Sequence, residues 1–157
     1  MPAPAIGQPA PDFELPASGS TAVKLSALRG RAVVLYFYPK DSTPGCTLEG
    51  QDFRDLHARF KRANTVILGV SRDSIESHEK FKAKQKFPFD LLSDADGKLC
   101  EKFDVIREKS LYGRKFLGIE RSTFLIDADG KLRREWRKVK VKGHAEEVLG
   151  AVKAFAR

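Results

Sequence analysis

Two cysteines in a chain of 157 residues are too few for a disulfide scaffold, which fits a reducing compartment, although two could still form one catalytic bond. The three histidines, His57, His78 and His144, are scattered, and no C-x-x-C or H-x-x-x-H spacing occurs, so the sequence makes no case for a metal centre. No stretch approaches the ~20 apolar residues of a membrane span, and MPAPAIGQPAPDF has no charged region followed by an apolar core. The expectation is a cytosolic protein that does not engage a membrane. Linkers, internal repeats and low-complexity tracts are missing too, and an apolar fraction of 41% suffices for a real core, so residues 1–157 are read as one domain. Acidic charge is in deficit, leaving a formal net charge of +8 that invites a nucleic-acid reading through phosphate contacts. The distribution argues against specific recognition. Acidic residues are interspersed through most helical segments, and the densest basic run, Lys131 to Lys142, reads as a strand whose alternate positions face solvent.

What the chain does have is concentrated between Arg31 and Asp55, RAVVLYFYPKDSTPGCTLEGQDFRD. Ala32 to Tyr38 is β-branched and aromatic without polar alternation, as in a parallel strand buried on both faces, and Pro39, Pro44 and Gly45 end it. Beyond Cys46, Phe53, Leu56 and Phe60 fall at helical spacing. Asp41, Ser42 and Thr43 offer capping oxygens, and Glu49 and Asp52 are acidic residues of the early turns. Cys46 therefore sits in a first helical turn, where free backbone N–H groups and the positive end of the helix dipole favour thiolate over thiol. That contribution reaches at most ~2 kcal/mol, too little to ionise most of an ordinary thiol at neutral pH, so a second positive group is needed. The competing reading, a small buried hydrophobe, is the ordinary fate of a free cysteine.

In chain order, Met1 to Pro11 reads as an extended lead-in, and Asp12 to Leu15 and Thr21 to Leu25 flank PASGS as a hairpin. Ser26 to Arg29 suits a short helical turn before the central strand. The Cys46 helix should end near Arg62 to Asn64, with His57 at the edge of its apolar face. Thr65 to Ser71 is a second buried strand, and Asp73 with Glu76 gives a capping-box-like start to a helix through about Lys86. Phe89 to Leu92 is a short strand. Asp94 to Gly97 opens a short helix in which Leu99, Cys100 and Phe103 share one side, so Cys100 reads as packing first. Arg107 to Gly118 is most simply a loop leading to the strand Ser122 to Ile126, and Asp129-Gly130 turns that strand back into Leu132 to Val141. The parity of the apolar positions changes within that last segment, which predicts a bulge or strand end near Arg137 and Lys138. Ala145, Val148, Leu149, Val152 and Phe155 form the apolar stripe of a terminal helix. Hairpin, strand, helix, strand, helix, strand hairpin and helix make an α/β protein with a mixed central sheet covered by helices on both faces.

Pro39, Thr43 and Cys46 fit a P-x-x-x-T-x-x-C signature, and with YPKDSTPGCTLEG the chain resembles the peroxiredoxins, in particular their bacterioferritin comigratory protein, or peroxiredoxin Q, subfamily. The segment GIERSTFLID supports this, because Arg121 stands where that family places its active-site arginine, and the likeness covers nearly the whole chain. The resemblance implies a thioredoxin-like fold and a thiol-dependent peroxidase without cofactor. Peroxide would be reduced at Cys46, through a sulfenic acid that must itself be reduced before further oxidation. It also implies that Thr43 binds the peroxide, Arg121 holds sulfur and peroxide oxygen, and Pro39 shields the site from water. Arg121 would be the second positive group. Family members often carry a resolving cysteine at the positions occupied here by Gln51 and Lys82, so a one-cysteine cycle completed by thioredoxin, glutaredoxin or a small thiol is favoured, and the subfamily leans towards a monomer. Two alternatives stand beside it: a two-cysteine cycle in which Cys100 resolves, and a non-catalytic basic binding protein on a thioredoxin-like fold. A C-x-x-C dithiol oxidoreductase is disfavoured because Thr43 occupies the first cysteine position.

Overall fold

A computed structural model describes residues 4–155. The central strand β3 (Ala32–Phe37) lies parallel to β4 (Thr65–Ser71) and antiparallel to β8 (Ser122–Ile126), so its backbone is paired on both edges. Its residues alternate between two cores. Val33, Leu35 and Phe37 enter one apolar cluster, and Val34 and Tyr36, with Tyr38 just past the strand, enter the other. The remaining strands of the seven-stranded sheet are β1 (Glu14–Ala17), β2 (Thr21–Lys24), β5 (Asp90–Ser93) and β9 (Leu132–Trp136), in the order β2-β1-β5-β4-β3-β8-β9.

Two consecutive parallel crossovers run through α1 (Pro44–Arg62) and α2 (Ile75–Gln85). Successive right-handed crossovers in one direction put their helices on the same face. Accordingly Phe53 and Phe60 of α1 and Phe81 of α2 share one cluster with Val148, Leu149 and Val152 of α4 (His144–Phe155). The opposite face is covered by α3 (Lys98–Lys102) and by a 3-10 turn at Leu25–Leu28, whose Leu25 packs with Leu99, Cys100 and Phe103. The result is the expected mixed sheet with helices on both sides and an N-terminal hairpin.

Several local expectations are corrected. Arg107 to Gly118 is not a loop: β6 (Ile106–Leu111) and β7 (Arg114–Ile119) form a separate antiparallel hairpin closed at Tyr112 and Gly113, both at positive φ (50° and 78°). Such a primed turn normally advertises itself as Asn-Gly or Asp-Gly, and a tyrosine hides it. Helix α2 is capped by Ser74, whose hydroxyl accepts the Ser77 N–H, and not by Asp73, whose carboxylate is engaged elsewhere. The basic segment stays in the sheet only to Trp136, ending where the change of parity predicted, with Lys138 at φ 49° and a register shift opposite Leu125 and Ile126. Arg137 instead donates to the carbonyls of Phe103 and Asp104. In the lead-in, Pro9 bridges to Lys131 and the Gly7 N–H donates to Leu132 O, so this segment extends the sheet edge. Phe155, read as part of the α4 stripe, is half exposed.

Candidate functional site

The strand-to-helix junction creates the site. β3 delivers the chain to Pro39 at the carboxyl end of the sheet, a left-handed Ser42 (φ 63°) reverses it, and Pro44 occupies the first position of α1, where its missing N–H costs nothing. Thr43 holds the N-cap position, yet its side chain does not cap the helix. Its hydroxyl donates to Lys40 O at 2.8 Å, which spends the proton and leaves the oxygen free to accept. Thr47 N–H is bonded to Thr43 O, so the N–H groups of Gly45 and Cys46 precede the first helical partner.

Cys46 is 1% exposed, with its sulfur at the apolar cluster beneath α1. Arg121, from the turn into β8, reaches across the sheet end and donates from Nη2 to Cys46 Sγ at 3.5 Å. It comes so close to the helix start that a Cβ at Gly45 would lie 3.0 Å from the same nitrogen. The other guanidinium nitrogen, Nη1, donates to Glu49 Oε1 at 2.6 Å. Burial disfavours the Arg121 cation, but Glu49 and Cys46 beside it outweigh that and hold its pKa above the ordinary value. Burial also raises the Glu49 carboxyl to about 7, against the pull of Arg121, and its Oε2 is buried with no hydrogen-bond partner among the described residues. Tyr36 shares the apolar cluster of Cys46 and is stacked on Phe53 at 4.8 Å. Its hydroxyl is kept neutral by burial and then by the charges of Glu49 and Cys46.

Thus Arg121 meets Cys46 in the first turn of the helix whose N-cap position Thr43 holds, and Pro39 and Lys40 line a groove with Lys109, Phe116 and Ile119. Cys100 does not join them. It lies fully buried in the cluster on the opposite face, where burial and then the Asp94 carboxylate push its thiol well up. Its own N–H donates to Asp94 Oδ2 at 2.8 Å.

Sequence reasoning missed two features. The sequence alone suggests for Glu49 a carboxylate serving the helix dipole, although its place three residues after Cys46 puts both on one helix face. His78, a lone histidine in the sequence, is fully buried against Asp41. Asp41, Asp73 and His78 bring ligand-type atoms within 4.8 Å of one another, but those atoms already hold hydrogen bonds: His78 Nδ1 to Asp41 Oδ2, and Ser71 Oγ to Asp73 Oδ2. A cation would have to break both, so the cluster does not fit a metal site.

Residues 6–135 match the AhpC/TSA family. Peroxiredoxin Bcp of Xanthomonas campestris is 57% identical over 151 residues, covering 95% of this chain and 94% of that protein. The Bacillus subtilis Peroxiredoxin Bcp is 56% identical over 148 residues, covering 94% of each. Among solved structures, a cysteine-to-serine mutant of Xylella fastidiosa PrxQ superposes over 100% of both chains with a TM-score of 0.93 at 48% identity. A structure of the Xanthomonas campestris bacterioferritin comigratory protein, described in terms of its alkyl peroxide reduction activity, has a TM-score of 0.88 at 56% identity over 92% of each chain.

Proposed function

Because the chain belongs to the AhpC/TSA family and is a thiol-dependent peroxidase of the peroxiredoxin kind, we propose that Cys46 is the attacking sulfur and that Thr43, Arg121 and Pro39 complete its site. The contact of Arg121 Nη2 with Cys46 Sγ at the start of α1 is the observation that carries this assignment. It sets a second positive group beside the sulfur, in addition to the helix start.

The Cys46 thiolate attacks the nearer peroxide oxygen in line with the O–O bond. An S–O bond forms, the O–O bond breaks, and the pair of electrons leaves on the distal oxygen, which takes up a proton as water or an alcohol. Sulfur is oxidised to sulfenic acid and the peroxide is reduced. Thr43 Oγ1, its own proton committed to Lys40 O, accepts from the peroxide O–H and sets the direction of approach. Arg121 and the backbone N–H groups of the helix start stabilise charge as it moves from sulfur to oxygen. Pro39 keeps water from the groove side.

A thiol from outside then reduces the sulfenic acid. In two structures of the Xanthomonas relative described as cysteine-to-serine mutants, the replaced cysteines lie 36 positions apart. Counting 36 from Cys46 reaches Lys82, whose ammonium pairs with Asp90 at 2.8 Å. Cys100 has the sheet between itself and Cys46, which disfavours it as the resolving residue. The reductant is thioredoxin, glutaredoxin or a small thiol, and the protein works as a cytoplasmic monomer without specific nucleic-acid or membrane contacts. Among the described residues no helix is long and apolar enough to cross a membrane. Peroxide consumption with dithiothreitol tests the assignment: the parent should turn over and leave a trappable sulfenic acid on Cys46, and Cys46→Ser should do neither. Activity in Cys46→Ser would remove the assignment.

A further inference from the structure

Between the end of β3 and the start of α1, Asp41 is the one residue of the Lys40 to Thr43 segment that is buried, at 6% exposure. Its contacts reach several elements. Oδ1 accepts from Tyr38 OH at 2.5 Å, and Oδ2 from Ser77 Oγ at 2.8 Å. Oδ2 also faces His78 Nδ1 at 2.7 Å, and the Asp41 N–H donates to Asp73 Oδ2 at 2.8 Å. The second ring nitrogen of His78 faces Leu92 O of β5 at 2.8 Å, so one fully buried imidazole ties the segment to the sheet. Two features of the segment call for such an anchor. Ser42 is held in the left-handed region, which is uncommon for a residue with a side chain. Lys40 O, the acceptor that orients Thr43 Oγ1, belongs to the residue directly before Asp41.

We propose that His78 is a positioning residue for peroxide reduction: by gripping Asp41 it fixes Lys40 O, and through it the Thr43 hydroxyl that receives the peroxide. The inference rests on the assignment of Cys46 and Thr43 above. It places part of the site's alignment in α2, which contributes no atom to the reaction. Without the grip the sulfur keeps Arg121 and the helix start, so its nucleophilicity persists while the aim of the peroxide is lost.

Two isosteres separate the halves of the imidazole. In His78→Asn the amide nitrogen replaces Nδ1 and keeps a donor for Asp41, whereas in His78→Gln it replaces Nε2 and keeps only Leu92 O. Each gives up one of the two buried ring contacts, so a purely structural role would lower melting temperature and activity alike in both. Single-turnover oxidation of Cys46 by hydrogen peroxide, compared with alkylation of Cys46 by chloroacetamide, reads positioning apart from thiol reactivity. The expected result is a peroxide rate constant roughly 10-fold lower in His78→Gln with alkylation undiminished, and within about threefold of the parent in His78→Asn. A His78→Gln rate within about twofold of the parent, or a parallel fall of both reactions in both variants, overturns the proposal. Should His78→Gln not fold, Asp41→Asn weakens the same grip from the loop side, where a peroxide rate lowered with alkylation unchanged supports the role and an unchanged peroxide rate overturns it. An inactive Cys46→Ser beside an unimpaired His78→Gln would sink the positioning role alone, whereas an active Cys46→Ser would sink the assignment of the attacking sulfur.

Discussion

The two cysteines are buried to the same degree, at 1% and 0% exposure, yet they sit in opposite electrostatic settings on opposite faces of one sheet. Cys46 has a guanidinium at 3.5 Å and a helix start behind it, whereas Cys100 has a carboxylate that accepts from its own N–H. Burial alone therefore does not set a thiol's surroundings; the sign of the nearest fixed charge separates the two, and on the proposed assignment it separates attack from packing. The same contrast holds for the acids beside them. Glu49 is present to hold an arginine over the sulfur, and Asp94 to receive the Leu99 and Cys100 N–H groups at the start of α3.

The contrast is broken most severely at the sulfur itself: Cys46→Ser should reduce peroxide turnover to background with the fold intact. Arg121→Lys keeps the charge but loses the planar pair of donors that serves Cys46 and Glu49 together, and the second-order rate constant with peroxide should fall roughly 10²-fold, as for loss of one transition-state donor. Its melting temperature should stay within about 5 °C of the parent, and equal activity in the two proteins would take Arg121 out of the mechanism.

The pH dependence of stability sharpens the comparison through two buried groups that oppose each other. Glu49 titrates at about 7 in the fold against 4.5 in the open chain, so its contribution is full below 4.5 and is lost as pH rises to 7. Burial lowers His144, which faces Thr123 Oγ1, to about 4 from 6.5, so its contribution is full above 6.5 and is lost as pH falls to 4. The slopes cancel over much of pH 4.5 to 6.5. Denaturant midpoints should accordingly rise more steeply with pH in Glu49→Gln than in the parent, and less steeply, or fall, in His144→Asn. Two variants with the parental profile would contradict both assignments. The smallest effect belongs to Cys100→Ser, whose turnover with dithiothreitol should lie within about twofold of the parent, at a stability cost of about 1 kcal/mol for a hydroxyl in that core. A dominant peptide joining Cys46 to Cys100 in non-reduced, peroxide-treated protein would reverse this and make Cys100 the resolving residue.

Much of the scaffold was legible because its periods are clean. β3 and β4 are uninterrupted apolar runs, the Cys46 helix carries Phe53 and Phe60 on one face, and α4 carries Val148, Leu149 and Val152. The β6–β7 hairpin was illegible for the opposite reason. Its residues are mostly half or fully exposed, Leu111, Phe116 and Leu117 among them, so no polar alternation marks a buried side. At the site, the helix-start cysteine could be found by local rules, but Arg121 lies 75 residues away, and only a motif shared with a family could connect the two. Glu49 and His78 were missed because their roles depend on what faces them across the fold. For His78 that partner, Asp41, is 37 residues distant in a loop whose composition suggests only a cap.

The sheet that keeps the two sulfurs apart also governs how an oxidised molecule ages. On the proposed one-cysteine cycle, a sulfenic acid at Cys46 has no partner thiol on its own face and waits on a collision, and two kinds of solute compete for it: a thiol that restores it and a second peroxide that carries it to the sulfinic state. Both encounters are bimolecular. The fraction of molecules retired per cycle then follows the ratio of peroxide to thiol around the protein and is independent of the protein's own concentration. The tally of retired molecules is thus a running record of how far oxidant supply has exceeded reductant supply.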